Sequence, residues 1–163
     1  MPSVPKPHSF SCKLAWTGAD AGAATDYKTY SRDLRLEIDG KPALKMSAAG
    51  AFRGDESAHN PEDLLMGALS ACHCLSYLAL AVRQGVTVVA YSDDASGTME
   101  WVDKTFRFTS VVLRPRVTVK KGSDLEKARA LHEEAHAACF IAQSVNFPVT
   151  NEPVIVESED GQD

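Results

Sequence analysis

The chain changes rhythm near residue 60. Upstream, "RDLRLEIDGKPAL" alternates Leu34, Leu36 and Ile38 with polar residues and then turns at "DGKP". A period of two predicts strands with one buried face. "SFSCKLAWTG" (residues 9–18) reads as an earlier strand closed by Gly18, and "ADAGAATDYKTYS" as a loop. "KMSAAGAF" reads as a third strand running into the polar loop "RGDESAH". Then "NPEDLLMGALSACHCLSYLALAVRQG" is apolar almost all round, the pattern of a helix buried on most sides. Asn60 is an N-cap, Pro61 suits the first helical position, Glu62 and Asp63 favour the positive end, and Gly85 is a C-cap.

Beyond Gly85, "VTVVAYSDDASG" and "FRFTSVVLRPRVTVKK" read as strands of an antiparallel sheet. Asp124 caps a second long helix, "LEKARALHEEAHAACFIAQSV" (residues 125–145), and a last strand lies within "VTNEPVIVES". Strands, helix, strands, helix and strand in that order predict an α+β fold. Residues 1–9 read as a flexible Pro-rich arm, 10–157 as one domain and 158–163 as an acidic, frayed tail.

Length and charge narrow the partners. The chain has 163 residues and a net charge of -5, so no broad basic face invites nucleic acid. The apolar runs read as too short to span a membrane, and the prolines of "MPSVPKPHSF" stand where a signal peptide would be apolar. The expected location is cytoplasmic. The first helix would be roughly 35 Å long, more than a single small subunit covers on all sides, which points to a homodimer.

Four cysteines occur, Cys12, Cys72, Cys74 and Cys139. Three readings of them stand side by side. Buried thiols pack as small hydrophobes. Alternatively His132, His136 and Cys139 fall at i, i+4 and i+7, and with Cys72 or His73 they would make a zinc set. Or Cys72 and Cys139, on different helices, form a redox pair activated by a nearby cation, Arg32 or Arg53. Cys72 and Cys74 are poor partners for each other, because i and i+2 on a helix diverge. Glu62 has two roles open to it, holding such an arginine or stabilising the helix dipole. Cys12 is expected to pack on the first strand.

"NPEDLLMGALSAC" together with "EEAHAACFIAQSV" resembles the OsmC/Ohr family of cysteine-dependent hydroperoxide reductases. Trp16-x-Gly18 and the strand order extend the likeness over residues 10–157, and "SAAGAFRGDESAHNPEDLL" resembles the OsmC-like branch. The resemblance implies an OsmC-like fold and an intertwined homodimer with composite active sites. It implies Cys72 as peroxidatic and Cys139 as resolving cysteine, joined by a disulfide on oxidation, with Glu62 and Arg32 as the other catalytic residues and Arg53 in reserve. Organic hydroperoxides are the implied substrates, favoured by Leu64, Leu65 and Leu69. A dithiol such as a dihydrolipoyl group is the implied reductant, and no metal or other cofactor is implied. Departures are Phe140 where many members have proline, and the extra His73 and Cys74. On a regular helix Glu62 and Cys72 are about 15 Å apart, so either the helix breaks or Glu62 serves a partner's cysteine. The alternatives kept are a non-catalytic thiol or small-ligand binding protein of the same fold, and a zinc module.

Overall fold

The computed structural model describes residues 6–159. Residues 1–5 of the expected arm and 160–163 of the expected tail lie outside this range. The fold is α+β, as expected, and divides into two compact units, up to Leu64 and from Leu65 onward.

In the first unit, β1 (Lys13–Trp16), β2 (Leu34–Glu37) and β3 (Leu44–Met46) form an antiparallel sheet in that order. Leu36 sits opposite Leu14 on one side and Leu44 on the other. The predicted turn is present. Gly40 takes φ 77°, and Lys41 N–H donates to the Ile38 carbonyl at 3.0 Å. β1 is shorter than expected, and Cys12, expected to pack on it, precedes it and is exposed. A 3-10 turn at Thr17–Ala21 ends the strand. There Gly18 lies so close to the Trp16 ring and the Ser31 backbone that a Cβ would not fit.

Helix α1 (Pro61–Arg83) starts where the sequence placed it. Asn60 Oδ1 accepts from Asp63 N–H at 2.8 Å, and Asp63 Oδ2 accepts from Asn60 N–H at 3.2 Å, a reciprocal capping box. It ends in a Schellman motif. Gly85 takes φ 75°, Val86 N–H reaches the Ala81 carbonyl at 2.9 Å and Gly85 N–H reaches Val82 at 3.3 Å. Two expectations about α1 change. By length and composition it is apolar enough to cross a membrane. It is also covered on one stripe rather than on most sides: Leu69, His73, Tyr77 and Ala81 recur every fourth residue and are buried, whereas Leu75 and Val82 are exposed.

The two strands read after α1 are four. β4 (Val88–Asp93), β7 (Pro115–Val119) and β9 (Val154–Glu157) make one sheet, and β5 (Ser96–Val102), β6 (Thr105–Leu113) and β8 (Val149–Asn151) another. The expected last strand is likewise split, into β8 and β9. Both sheets are mixed rather than purely antiparallel, because β8 pairs parallel with β6 and β9 parallel with β7. Three long segments therefore switch sheets, at residues 94–95, 114 and 152–153. Arg114 ties these corners together. Its N–H donates to Asp93 Oδ1 at 2.7 Å, its Nη1 to Ser96 Oγ at 2.7 Å and its Nε to Glu152 Oε2 at 3.1 Å. Pro115 and Pro153 stand at two corners, where a missing N–H does least harm to a ladder. Ser158, assigned to the frayed tail, is buried, and its N–H bonds the Val119 carbonyl at 2.8 Å.

Helix α2 (Leu125–Ala138) is capped by Asp124, whose carboxylate accepts from Lys127 N–H at 3.0 Å. It stops seven residues before the expected end at 145, and the reason is packing. Ala128, Leu131 and Ala135 join the core of Tyr77, Val117, Val119 and Ile155. Ile141, Ala142, Val145 and Phe147 pack instead on a second cluster of Leu69, Val111, Leu113 and Val149. One straight helix does not serve both clusters. The chain turns at Cys139, whose backbone is extended (φ −77°, ψ 103°).

Candidate active site

Cys72 sits half-buried on α1, and Cys139 is buried at the C-terminal end of α2. Cys72 lies close enough to Cys139 to bear on its proton, so the two cysteines read from sequence as a pair are brought near each other. Burial first, and the contact with Cys72 second, push the Cys139 thiol up to about 11, against a smaller opposing pull from the Ala142 and Ile141 N–H groups. Cys139 is thus a thiol held protonated beside a more accessible sulfur. Cys74 stays apart from this pair. Burial, then the Asp93 charge, raise its pKa, as befits the opposite side of a helix from Cys72.

A groove of about 560 Å³ opens over Cys72. Leu75, Ser76, Ala79, Leu80 and Arg83 line it along α1, and Phe140 and Ile141 line it beyond Cys139. Phe140, in the position where proline is common, is 81% exposed.

The other site residues belong to the first unit. Arg32 is buried just before β2. Its Nη1 donates to the Tyr30 carbonyl at 2.6 Å and its Nη2 to the Tyr27 carbonyl at 2.5 Å. The guanidinium also lies over both tyrosine rings, 4.0 Å from that of Tyr30 and 5.2 Å from that of Tyr27. Glu62 lies in the first turn of α1, and its Oε2 is buried with no hydrogen-bond partner among the described residues. No Glu62–arginine ion pair forms among them. Arg53 is exposed, at φ 66° after a short 3-10 turn.

The zinc set does not assemble. His132 is buried and turned to His73 rather than sharing a solvated face with His136, and no group of three His, Cys, Asp or Glu side chains fit for a metal occurs among the described residues. Reading His132 as a candidate zinc ligand missed this burial. The signal was present in His73, which falls on the four-residue rhythm of Leu69, Tyr77 and Ala81.

Two cysteines from separate elements thus lie near each other, one buried and one lining an apolar groove. The comparisons place the chain more narrowly. The family model for OsmC-like protein matches residues 54–153, and the chain belongs to that family. An OsmC-like protein of unknown function from Vibrio cholerae is 34% identical, with 91% of this chain and 100% of that one covered and a TM-score of 0.83. The uncharacterized protein YmaD of Bacillus subtilis is 23% identical over 141 residues, 85% of this chain and 87% of its own. The peroxiredoxin OsmC of Escherichia coli is 26% identical over 99 residues, 61% of this chain and 68% of its own.

Proposed function

We propose that this chain is a thiol-dependent peroxidase that reduces organic hydroperoxides to alcohols. The observation that carries the reading is the approach of buried Cys139 to Cys72, the thiol that lines an apolar groove. The name peroxiredoxin for the Escherichia coli relative agrees with it. The Cys72 thiolate attacks the peroxide, the O–O bond breaks and the alkoxide leaves, taking a proton to become the alcohol. Cys72 is left as a sulfenic acid. The Cys139 sulfur then displaces that oxygen, which departs as water, and the disulfide forms. An external dithiol, of the dihydrolipoyl kind, reduces the disulfide and is itself oxidised to one. The apolar groove favours an organic group over hydrogen peroxide.

Arg32 and Glu62 are the proposed partners of the thiolate, with Arg53 in reserve. They are supplied by a homodimer. α1 runs unbroken from Pro61 to Arg83, so a regular helical rise sets Glu62 about 15 Å along the axis from Cys72 of its own chain. Glu62 Oε2, buried with no hydrogen-bond partner among the described residues, and the uncovered side of α1 fit the same assembly. A cytoplasmic location suits a protein that works through reduced thiols.

One equivalent of cumene hydroperoxide followed by peptide mapping tests the reaction. The expected product is an intrachain Cys72–Cys139 disulfide, and a Cys72–Cys12 bridge or a stable sulfenic acid would overturn it. Cys72→Ser should lose all turnover, whereas Cys139→Ser should react once and then over-oxidise. For the composite site, heterodimers of Glu62→Ala with Cys72→Ser should recover wild-type thiolate reactivity at the one remaining Cys72. No recovery in verified heterodimers would return Glu62 to its own chain.

A further inference from the structure

Two buried histidines have no place in that reaction. His73, on the covered stripe of α1, is 0% exposed, and His132, on α2, is 1% exposed. His73 Nε2 and His132 Nδ1 are 3.0 Å apart. At that distance one nitrogen must carry a proton and the other must accept it. The outward nitrogens, His73 Nδ1 and His132 Nε2, are buried with no hydrogen-bond partner among the described residues. Tyr77 stacks on His132 at 4.1 Å between centroids and donates its own hydroxyl to the Ala128 carbonyl.

On balance the surroundings oppose a charge on either ring. Asp93 on β4 and Glu133 on α2 favour a charged His73, and His136 opposes it. His73 itself and Arg129 oppose a charge on His132. Burial is the largest influence on both rings and holds both pKa values down, that of His132 to about 3. Of the neutral neighbours, Cys74 follows His73 on α1 and Tyr91 stands on β4 against Tyr77. Asp93 is already engaged, accepting from Ser70 Oγ at 2.5 Å and from Arg114 N–H at 2.7 Å. A proton added to the pair enters at an outward nitrogen, His73 Nδ1 or His132 Nε2, where it leaves a charge in a dry core and a new N–H with no acceptor among the described residues.

The pair also sits where it governs the thiols. His73 directly follows Cys72, and His132 precedes Cys139 by seven residues, about 10 Å of helix. We propose that His73 and His132 are positioning residues, a joint between α1 and α2 that holds Cys72 against Cys139 only while both rings are neutral. The proposal rests on the reading of Cys72 and Cys139 as a redox pair and not on peroxide as the oxidant. The disulfide form keeps the joint closed. The dithiol form is free to open and take up protons, so acid shifts the equilibrium toward the dithiol.

The full-length chain equilibrated with reduced and oxidised dithiothreitol at pH 7.5 and 5.0 tests this, with the disulfide counted by mass spectrometry after alkylation. In the wild type the equilibrium constant for the Cys72–Cys139 disulfide should fall at least tenfold between the two. In His73→Gln/His132→Asn, whose amides replace the facing nitrogens and do not titrate, it should change less than twofold. The same fall in both proteins, or none in the wild type, would overturn the joint. Should the double variant not fold, ring C2–H resonances of the wild type decide. Protonation of His73 and His132 should share one midpoint with disulfide loss, and titration that leaves the disulfide equilibrium unmoved overturns the proposal. Peroxide turnover is read separately. A chain that passes this test without reducing cumene hydroperoxide keeps the joint and loses the peroxidase reading, and the converse result loses only the joint.

Discussion

Helices α1 and α2 each bring one thiol to the site, yet they treat their outer faces in opposite ways. α2 exposes Glu126, Arg129, Ala130, Glu133 and Glu134, a solvated charged surface of the usual kind. α1 exposes Leu75 at 68% and Val82 at 78% and holds no charged side chain between Asp63 and Arg83. An apolar outer face this long is the surface on which the proposed homodimer would form. The difference teaches where each thiol stands: Cys139 is closed in by its own chain, and Cys72 lies beside an uncovered apolar surface.

What the helices share is tested hardest by acid. The histidines joining them have pKa values held below the ordinary 6.5 in the folded chain, while the unfolded chain titrates near that value. The unfolded chain therefore takes up protons first as pH falls. Stability is full above pH 6.5 and declines below it, by up to about 1.4 kcal/mol per pH unit for each histidine, continuing for His132 toward pH 3. Urea midpoints at pH 7.5, 6.0 and 5.0 measure this, and a flat profile would show that the pair is not neutral in the fold.

The outer faces come next. Val82→Glu should weaken self-association at least tenfold in sedimentation velocity experiments, because it buries a charge in an apolar interface. Ala130→Glu on α2 should leave self-association unchanged. Equal effects would erase the contrast between the helices.

The smallest expected effect concerns the helix starts, which are alike. Asn60→Ala and Asp124→Ala each remove a side-chain acceptor at an N-cap and should each cost about 1 kcal/mol in denaturant unfolding. A much larger loss for Asn60→Ala would show that its capping box does more than close the helix.

The sequence carried the local decisions. The caps at Asn60, Gly85 and Asp124 and the turn at Gly40 are legible because each depends on a few neighbouring residues with a backbone preference of their own. The cysteine pair was legible through its motif. The end of α2 was not, since nothing local stops a helix at "AACFIAQSV". It stops because Ile141 and Val145 belong to a different core cluster from Leu131 and Ala135. Nor did the run "FRFTSVVLRPRVTVKK" reveal that it crosses between sheets at Arg114, a residue whose partners come from Asp93, Ser96 and Glu152, far away in sequence.

By itself, then, the sequence determined where the two helices start, where the first turn falls and which residue types are available for chemistry, since periodicity, capping and composition act over a few residues. Only the tertiary structure decided that Cys139 is the buried thiol and that His73 faces His132. Burial and through-space contact between distant segments set those, and both arise only when separate elements compete for the same core.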